Sequence, residues 1–324
     1  MKSLFRGAFF RGVSASALAI SLAACSALPS PLDRLGDVPQ AFTAPMNKSA
    51  PVWPQADWWS KFGAVELAPL QQTAQKENLD VAQAAARVLQ AEASDGIALA
   101  ALFPTLGTSF DASRSGGNTP TPAGGRARNS FAAGLTANYQ QGFFGTQYLQ
   151  LEASREDLRA QRYAAAVTGI SVSTQVADEY FTVLSFRERI AIEIDNIAAA
   201  KRILAITQAK VNSGVVSNLE LALQQALLAS QEAQLPVLIQ AEKQARYSLA
   251  VLLGRAPEGF DIKAQNLDGV DAPSVQPGLP SELLLRNPAI AQAEAQLYVA
   301  HANVDAARST YFPSLNLSGG TSFG

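Results

Sequence analysis

The chain has 324 residues, with 25 basic against 27 acidic side chains and a formal net charge of −2. That balance excludes a phosphate-neutralising surface, so nucleic acid is not an expected partner. One Cys and one His exclude an internal disulfide, a zinc cluster and a multi-His relay, and neither a cofactor nor an enzyme activity is expected. Charged residues make up 16% and mean hydropathy is +0.06, so the chain is uncharged rather than greasy.

Lys2, Arg6 and Arg11 precede a short apolar run, Val13 to Ser21, and then Leu22, Ala23, Ala24 and Cys25. The pattern reads as a secretory leader over residues 1–24, too short for a membrane span. The last four have the form of a bacterial lipobox, which predicts lipidation of Cys25. Ser26 follows in place of Asp, which by analogy with lipoprotein sorting directs the product to the outer membrane. Residues 25–62 are rich in Pro, Ser and Ala and read as an extended tether. Trp53, Trp58, Trp59 and Phe62 close it, either as a cap on the core that follows or as a pin near the membrane interface.

A repeat organises the rest. Asn78, Val81, Ala82 and Ala84 recur as Asn287, Ile290, Ala291 and Ala293, and Phe103 and Pro104 recur as Phe312 and Pro313, all 209 positions apart. One offset across such a stretch indicates a duplicated unit. The first copy covers 63–270. The second, 281–324, holds only a helix and a strand, so the sequence reads as the N-terminal part of a longer protein.

Within the first unit, Leu79 to Leu102 predicts a helix with Asn78 as N-cap and Asp80 in the first turn. Asn287 and Pro288 open its counterpart, and Pro104 and Pro313 end the two helices. The period then becomes two. In 105–115, Leu106, Phe110 and Ala112 alternate with polar residues; in 129–141, Phe131, Leu135 and Tyr139 do so; in the second copy, Leu315, Leu317 and Phe323 do so. Strands of about 10 residues with one apolar and one polar, uncharged face suit a transmembrane barrel, apolar to lipid and polar to a wet lumen. A soluble hairpin with one buried face has the same local pattern. Tyr139, Phe143 and Phe144 suit an aromatic girdle.

The helical period resumes over 145–254 as a long hairpin. Val176, Tyr180, Val183, Ile190, Ile194, Ile197, Leu204 and Val211 form an a/d seam interrupted by Arg187, Lys201 and Gln208. Ser213, Gly214, Val215, Val216 and Ser217 form the turn, and Ser217 with Glu220 reads as a capping box. Leu221, Leu228, Leu235, Leu238, Ala245 and Leu249 carry the seam back. An apolar turn at the far end of a helix marks a partner site. Arg187, Glu188 and Arg189 read as a solvated face, or as an inter-protomer or adaptor contact, and His301 as a solvated helix position. Residues 255–280, rich in Pro, Gly and Asp, form an equatorial connection.

These residues carry a resemblance. The lipobox at Cys25, the Asp57, Trp58, Trp59 and Phe62 cluster, Asn78 to Ala82, Phe103 and Pro104, the turn Ser213 to Ser217, and the Leu249 to Gly254 box are similar to the outer-membrane channel subunits of tripartite efflux systems. The likeness is to the OprM/TolC-like class and especially to its NodT-type lipoproteins. It implies a mainly α fold with a transmembrane β part: a homotrimer in which each protomer gives long hairpins to a tunnel and four strands to a shared 12-stranded barrel. It implies a periplasmic adaptor at the turn, an inner-membrane transporter of the proton-driven RND type beyond it, and passive passage of small molecules such as drugs. The sequence departs from that pattern in lacking the fourth strand and the second long hairpin, where the family's aperture-closing residues lie. No gate is therefore assigned, and these residues by themselves are expected not to form a working channel. Two rivals stay open: a duct for type I protein secretion, and a periplasmic coiled-coil scaffold that never spans the membrane.

Overall fold

The computed structural model describes residues 57–116, 128–142, 144–274 and 280–324. The leader, Cys25, the tether through residue 56 with Trp53, most of the loop after the first strand, and Phe143 lie outside the described residues. After a 3-10 turn at Trp58–Phe62 the order is α1 (Leu67–Glu77), α2 (Leu79–Ala100), β1 (Thr105–Ser115), β2 (Arg128–Gly142), α3 (Thr146–Asn212), α4 (Asn218–Leu252), α5 (Pro280–Arg286), α6 (Pro288–Ser309) and β3 (Ser314–Phe323).

The duplication is structural. Both α2 and α6 have 22 residues, and their first and last residues are 209 positions apart, as are the starts of β1 and β3. Cap chemistry explains the shared starts. The Asn78 side chain accepts from the N–H groups of Asp80 and Val81 at 2.8 and 3.1 Å, and the Asn287 side chain accepts from the Ala289 N–H at 2.9 Å. Each satisfies donors that a first helical turn leaves unpaired. The short helices α1 and α5 were not anticipated from the sequence. Helix α1 lacks a side-chain cap and is held by packing, with Leu67, Gln71 and Ala74 buried along one stripe.

Helix α3 spans 67 residues, or about 100 Å at 1.5 Å per residue. It is the post of the structure. Helices α2 and α6 pack along its upper half, and α4 packs antiparallel along its lower half. Arg162 and Arg155 of α3 pair with Glu92 and Asp95 of α2 at 3.0 and 4.0 Å. On the α6 side Thr146 and Ser309 share a 2.7 Å hydrogen bond, and Arg159 lies over the Tyr298 ring. The core sits midway, at the equator. Val172, Val176, Tyr180, Val183 and Leu184 of α3 close on Ala245 and Leu249 of α4, Leu67 and Ala74 of α1, and Ile262 of the connector. Trp58 and Trp59 pack against this cluster, and the Phe62 ring lies 5.2 Å from that of Phe181, so these aromatics cap the core.

Two sequence expectations need correction. Below the core the seam of α3 turns by one residue: Ala200 and Thr207 are buried, while Lys201 and Gln208 are exposed and Ile194 is 51% exposed. Burying a Lys or a Gln without partners costs more than burying Ala and Thr, so the smaller pair faces α4. Lys201 instead reaches Glu232 at 2.9 Å on the outside. The second correction concerns Arg187, which faces inward.

The three strands form one antiparallel sheet in the order β1-β2-β3, with β1 and β3 as its edges. Register decides which residues share a face. Phe110 lies opposite Ala133 and Leu106 opposite Ala137; Leu135 lies opposite Thr321 and Tyr139 opposite Leu317. The apolar positions of all three strands therefore fall on a single face.

Candidate functional sites at the two ends of the long helix

At the upper end, the apolar sheet face stands clear of the helical core. Leu106 is 75% exposed, Phe110 73%, Phe131 60%, Leu135 48% and Phe323 74%. Tyr139, also on this face, is half-buried and its hydroxyl donates to Gln141 Oε1 at 2.7 Å. The opposite face carries Ser109, Asp111, Thr136, Asn138, Asn316 and Ser318. The five strand residues expected to form a lipid-facing surface are thus brought together. Where the sheet meets the helices, Phe144 and Phe312 stack with ring centroids 3.9 Å apart.

At the lower end, the turn is built by hydrogen bonds from its own ends. The Gly214 N–H donates to Val211 O at 2.9 Å and the Val215 N–H to Lys210 O at 3.0 Å, which closes α3. Gly214 has φ +75°, the left-handed conformation this closure requires, and a Cβ there would meet open space. Ser213 Oγ donates to Ala209 O at 2.6 Å, and Ser217 Oγ accepts from the Glu220 N–H at 3.4 Å to open α4. Val215 is 73% exposed, whereas Val216 is half-buried, so the exposed apolar contact of the tip is Val215 and not the whole run.

A third cluster, at the equator, was misread from the sequence. The Arg187 side chain donates from Nε to Glu242 Oε1 at 3.2 Å and from Nη1 to the carbonyls of Ile262 and Ala264 at 2.9 and 2.6 Å; Nη2 donates to Asp261. Arg246 approaches Glu242 at 3.3 Å and donates to Phe260 O at 2.6 Å. Arg187 thus clamps the equatorial connector to the hairpin and turns inward rather than to solvent, while Arg189 is exposed. Burial opposes ionisation of Asp261, but the hydrogen bonds from Arg187 and the Ile262 N–H, with the charges of Arg187 and Arg246, hold its carboxyl below its ordinary value. A polar interruption of a seam next to a Pro- and Gly-rich connector is the only trace of this clamp in the sequence. His301 is partly exposed with Nδ1 3.3 Å from Asp305, one turn along its own helix.

One protomer thus carries an amphipathic sheet at one end of a 67-residue helix and an exposed apolar turn at the other, the arrangement of an outer-membrane channel subunit. The family model described as outer membrane efflux protein matches residues 70–255 and 279–324. The pyoverdine export outer membrane protein OpmQ of Pseudomonas aeruginosa is 36% identical over 321 residues, 97% of this chain and 68% of that protein. The cation efflux system protein CusC of Escherichia coli O6:H1 is 28% identical over 311 residues, 94% of this chain and 66% of that protein. Among solved structures, the outer-membrane channel OprN superposes with a TM-score of 0.78 at 25% identity, covering 92% of this chain and 67% of that one. The chain belongs to the outer membrane efflux protein family, and its place is the Gram-negative outer membrane. It spans about two thirds of the length of these relatives.

Proposed function

We propose that this chain forms part of the passive exit duct of a tripartite efflux system. The observation that carries the reading is the placement of the apolar sheet face and the Val215 turn about 100 Å apart on one helix. In this reading three protomers contribute their sheets to one shared barrel, since open edges are not tolerated in lipid; the three strands described in each give nine of the twelve that the family resemblance implies. Leu106, Phe110, Phe131, Leu135 and Tyr139 face lipid. Acylated Cys25 anchors the tether, and the turn Ser213 to Ser217 docks a periplasmic adaptor that connects to an RND-type inner-membrane transporter. The cargo is a small molecule or ion: the two relatives are named for pyoverdine export and for cation efflux. The test is a gene deletion complemented with wild-type or Cys25→Ser protein in the native host. Wild type is expected in the outer-membrane fraction, fatty-acid labelled, and restoring resistance to exported compounds. Recovery in the soluble periplasmic fraction, with no change in susceptibility on deletion, would overturn the reading.

A further inference from the structure

Asp111 sits in the middle of β1 on the polar face of the sheet, opposite Ala132 and between Ser109 and Ser113. It is exposed and has no hydrogen-bond or ion-pair partner among the described residues. It is six residues beyond Thr105, where the strand leaves the helices, or about 20 Å along the strand. With the usual barrel tilt that is about 15 Å of depth, inside an apolar band about 25 Å tall. A carboxylate at that depth is costly against hydrocarbon, so it belongs to the wet side, in agreement with the register. Its nearest described neighbours on the same face, Ser109, Ser113, Ser130, Ala132 and Gly134, are small and uncharged. In the backbone register Arg128 pairs with Ser115, four rungs further out.

Resting on the exit-duct reading, we propose that Asp111 is a specificity-determining residue of the duct. One copy from each protomer places a ring of carboxylates at mid-depth in the lumen, and the ring makes the open pore prefer cations and cationic solutes over anions. Rings of acidic side chains select cations, and substitutions on the lumen face of a barrel tune selectivity without disturbing the lipid face.

The test uses the full protein purified from the outer membrane, reconstituted in planar bilayers under a KCl gradient. Wild type is expected to favour potassium over chloride. Asp111→Asn and Asp111→Ser should lower the permeability ratio severalfold with conductance steps retained, Asp111→Glu should keep it, and Asp111→Lys should shift it toward chloride. An unchanged ratio in both neutral variants overturns the proposal. Failure of both neutral variants to insert also overturns it, because Asp111 would then be structural. Absence of any conductance from wild type overturns the duct reading itself and the ring with it.

Discussion

Asn78 Nδ2 donates a 2.8 Å hydrogen bond to the carbonyl of Leu252, 174 positions away at the end of α4. The same carboxamide accepts from the first turn of α2, so one side chain caps the start of one helix and the end of another. Gly254, with φ +68°, lies so close to the Glu77 carbonyl that a Cβ would overlap it. The lower hairpin is thereby joined to α2, which leads to the sheet. Asn78→Ala should destabilise the fold by about 2–3 kcal/mol, from a lost N-cap and an unpaired carbonyl. Asn78→Asp keeps the cap and loses only the donor, and should fall between. Denaturant unfolding followed by circular dichroism reads both, and equal stability of Asn78→Ala and wild type would contradict the splice.

The Arg187 clamp makes a second case. Arg187→Met leaves Glu242, largely buried, with Arg246 alone and frees two connector carbonyls, at a cost of about 3 kcal/mol. Limited proteolysis should then cut within residues 255–274 before the hairpin. Asp261 adds a pH dependence. Its folded pKa is lowered from 3.8, so its contribution is complete above that value and is lost as pH falls through the lowered folded value. Wild-type connector protection should therefore weaken only in that acidic range, and Asp261→Asn should flatten the profile.

At the tip, Gly214 and Val215 separate turn geometry from docking. Gly214→Val forces a branched side chain into the left-handed region, with about 1–2 kcal/mol of strain and lower assembly. Val215→Asp replaces an exposed side chain and should leave the melting temperature unchanged while reducing crosslinking to the adaptor and raising drug susceptibility. Wild-type crosslinking and export by Val215→Asp would reduce the tip to a turn.

On the sheet, single Cys substitutions in a Cys25→Ser background read the faces in the assembled protein. Thr136 and Asn138 should react with a water-soluble thiol reagent, and Phe131, Leu135 and Tyr139 should not. The reverse pattern would mean the opposite face meets lipid, since a one-residue slip exchanges the two faces.

The sequence by itself determined the elements that depend on neighbours within a turn or a rung. The alternation in 105–115 and 129–141 appears as β1 and β2 to within a residue, and the hairpin read over 145–254 appears as α3 and α4. Asn78, Asn287, Gly214 and Ser217 were legible because a cap or a left-handed turn is satisfied two or three residues away. The duplication was legible because both copies obey the same local rules. Helix α1 escaped notice because packing against the α3 and α4 core, rather than a cap, holds it. Only the tertiary structure decided that Ala200 and Thr207, not Lys201 and Gln208, face α4, that Arg187 turns inward to a connector 75 positions away, and that Asn78 reaches Leu252. Each of these depends on which group lies opposite at long sequence separation, and periodicity within one helix does not specify its partner.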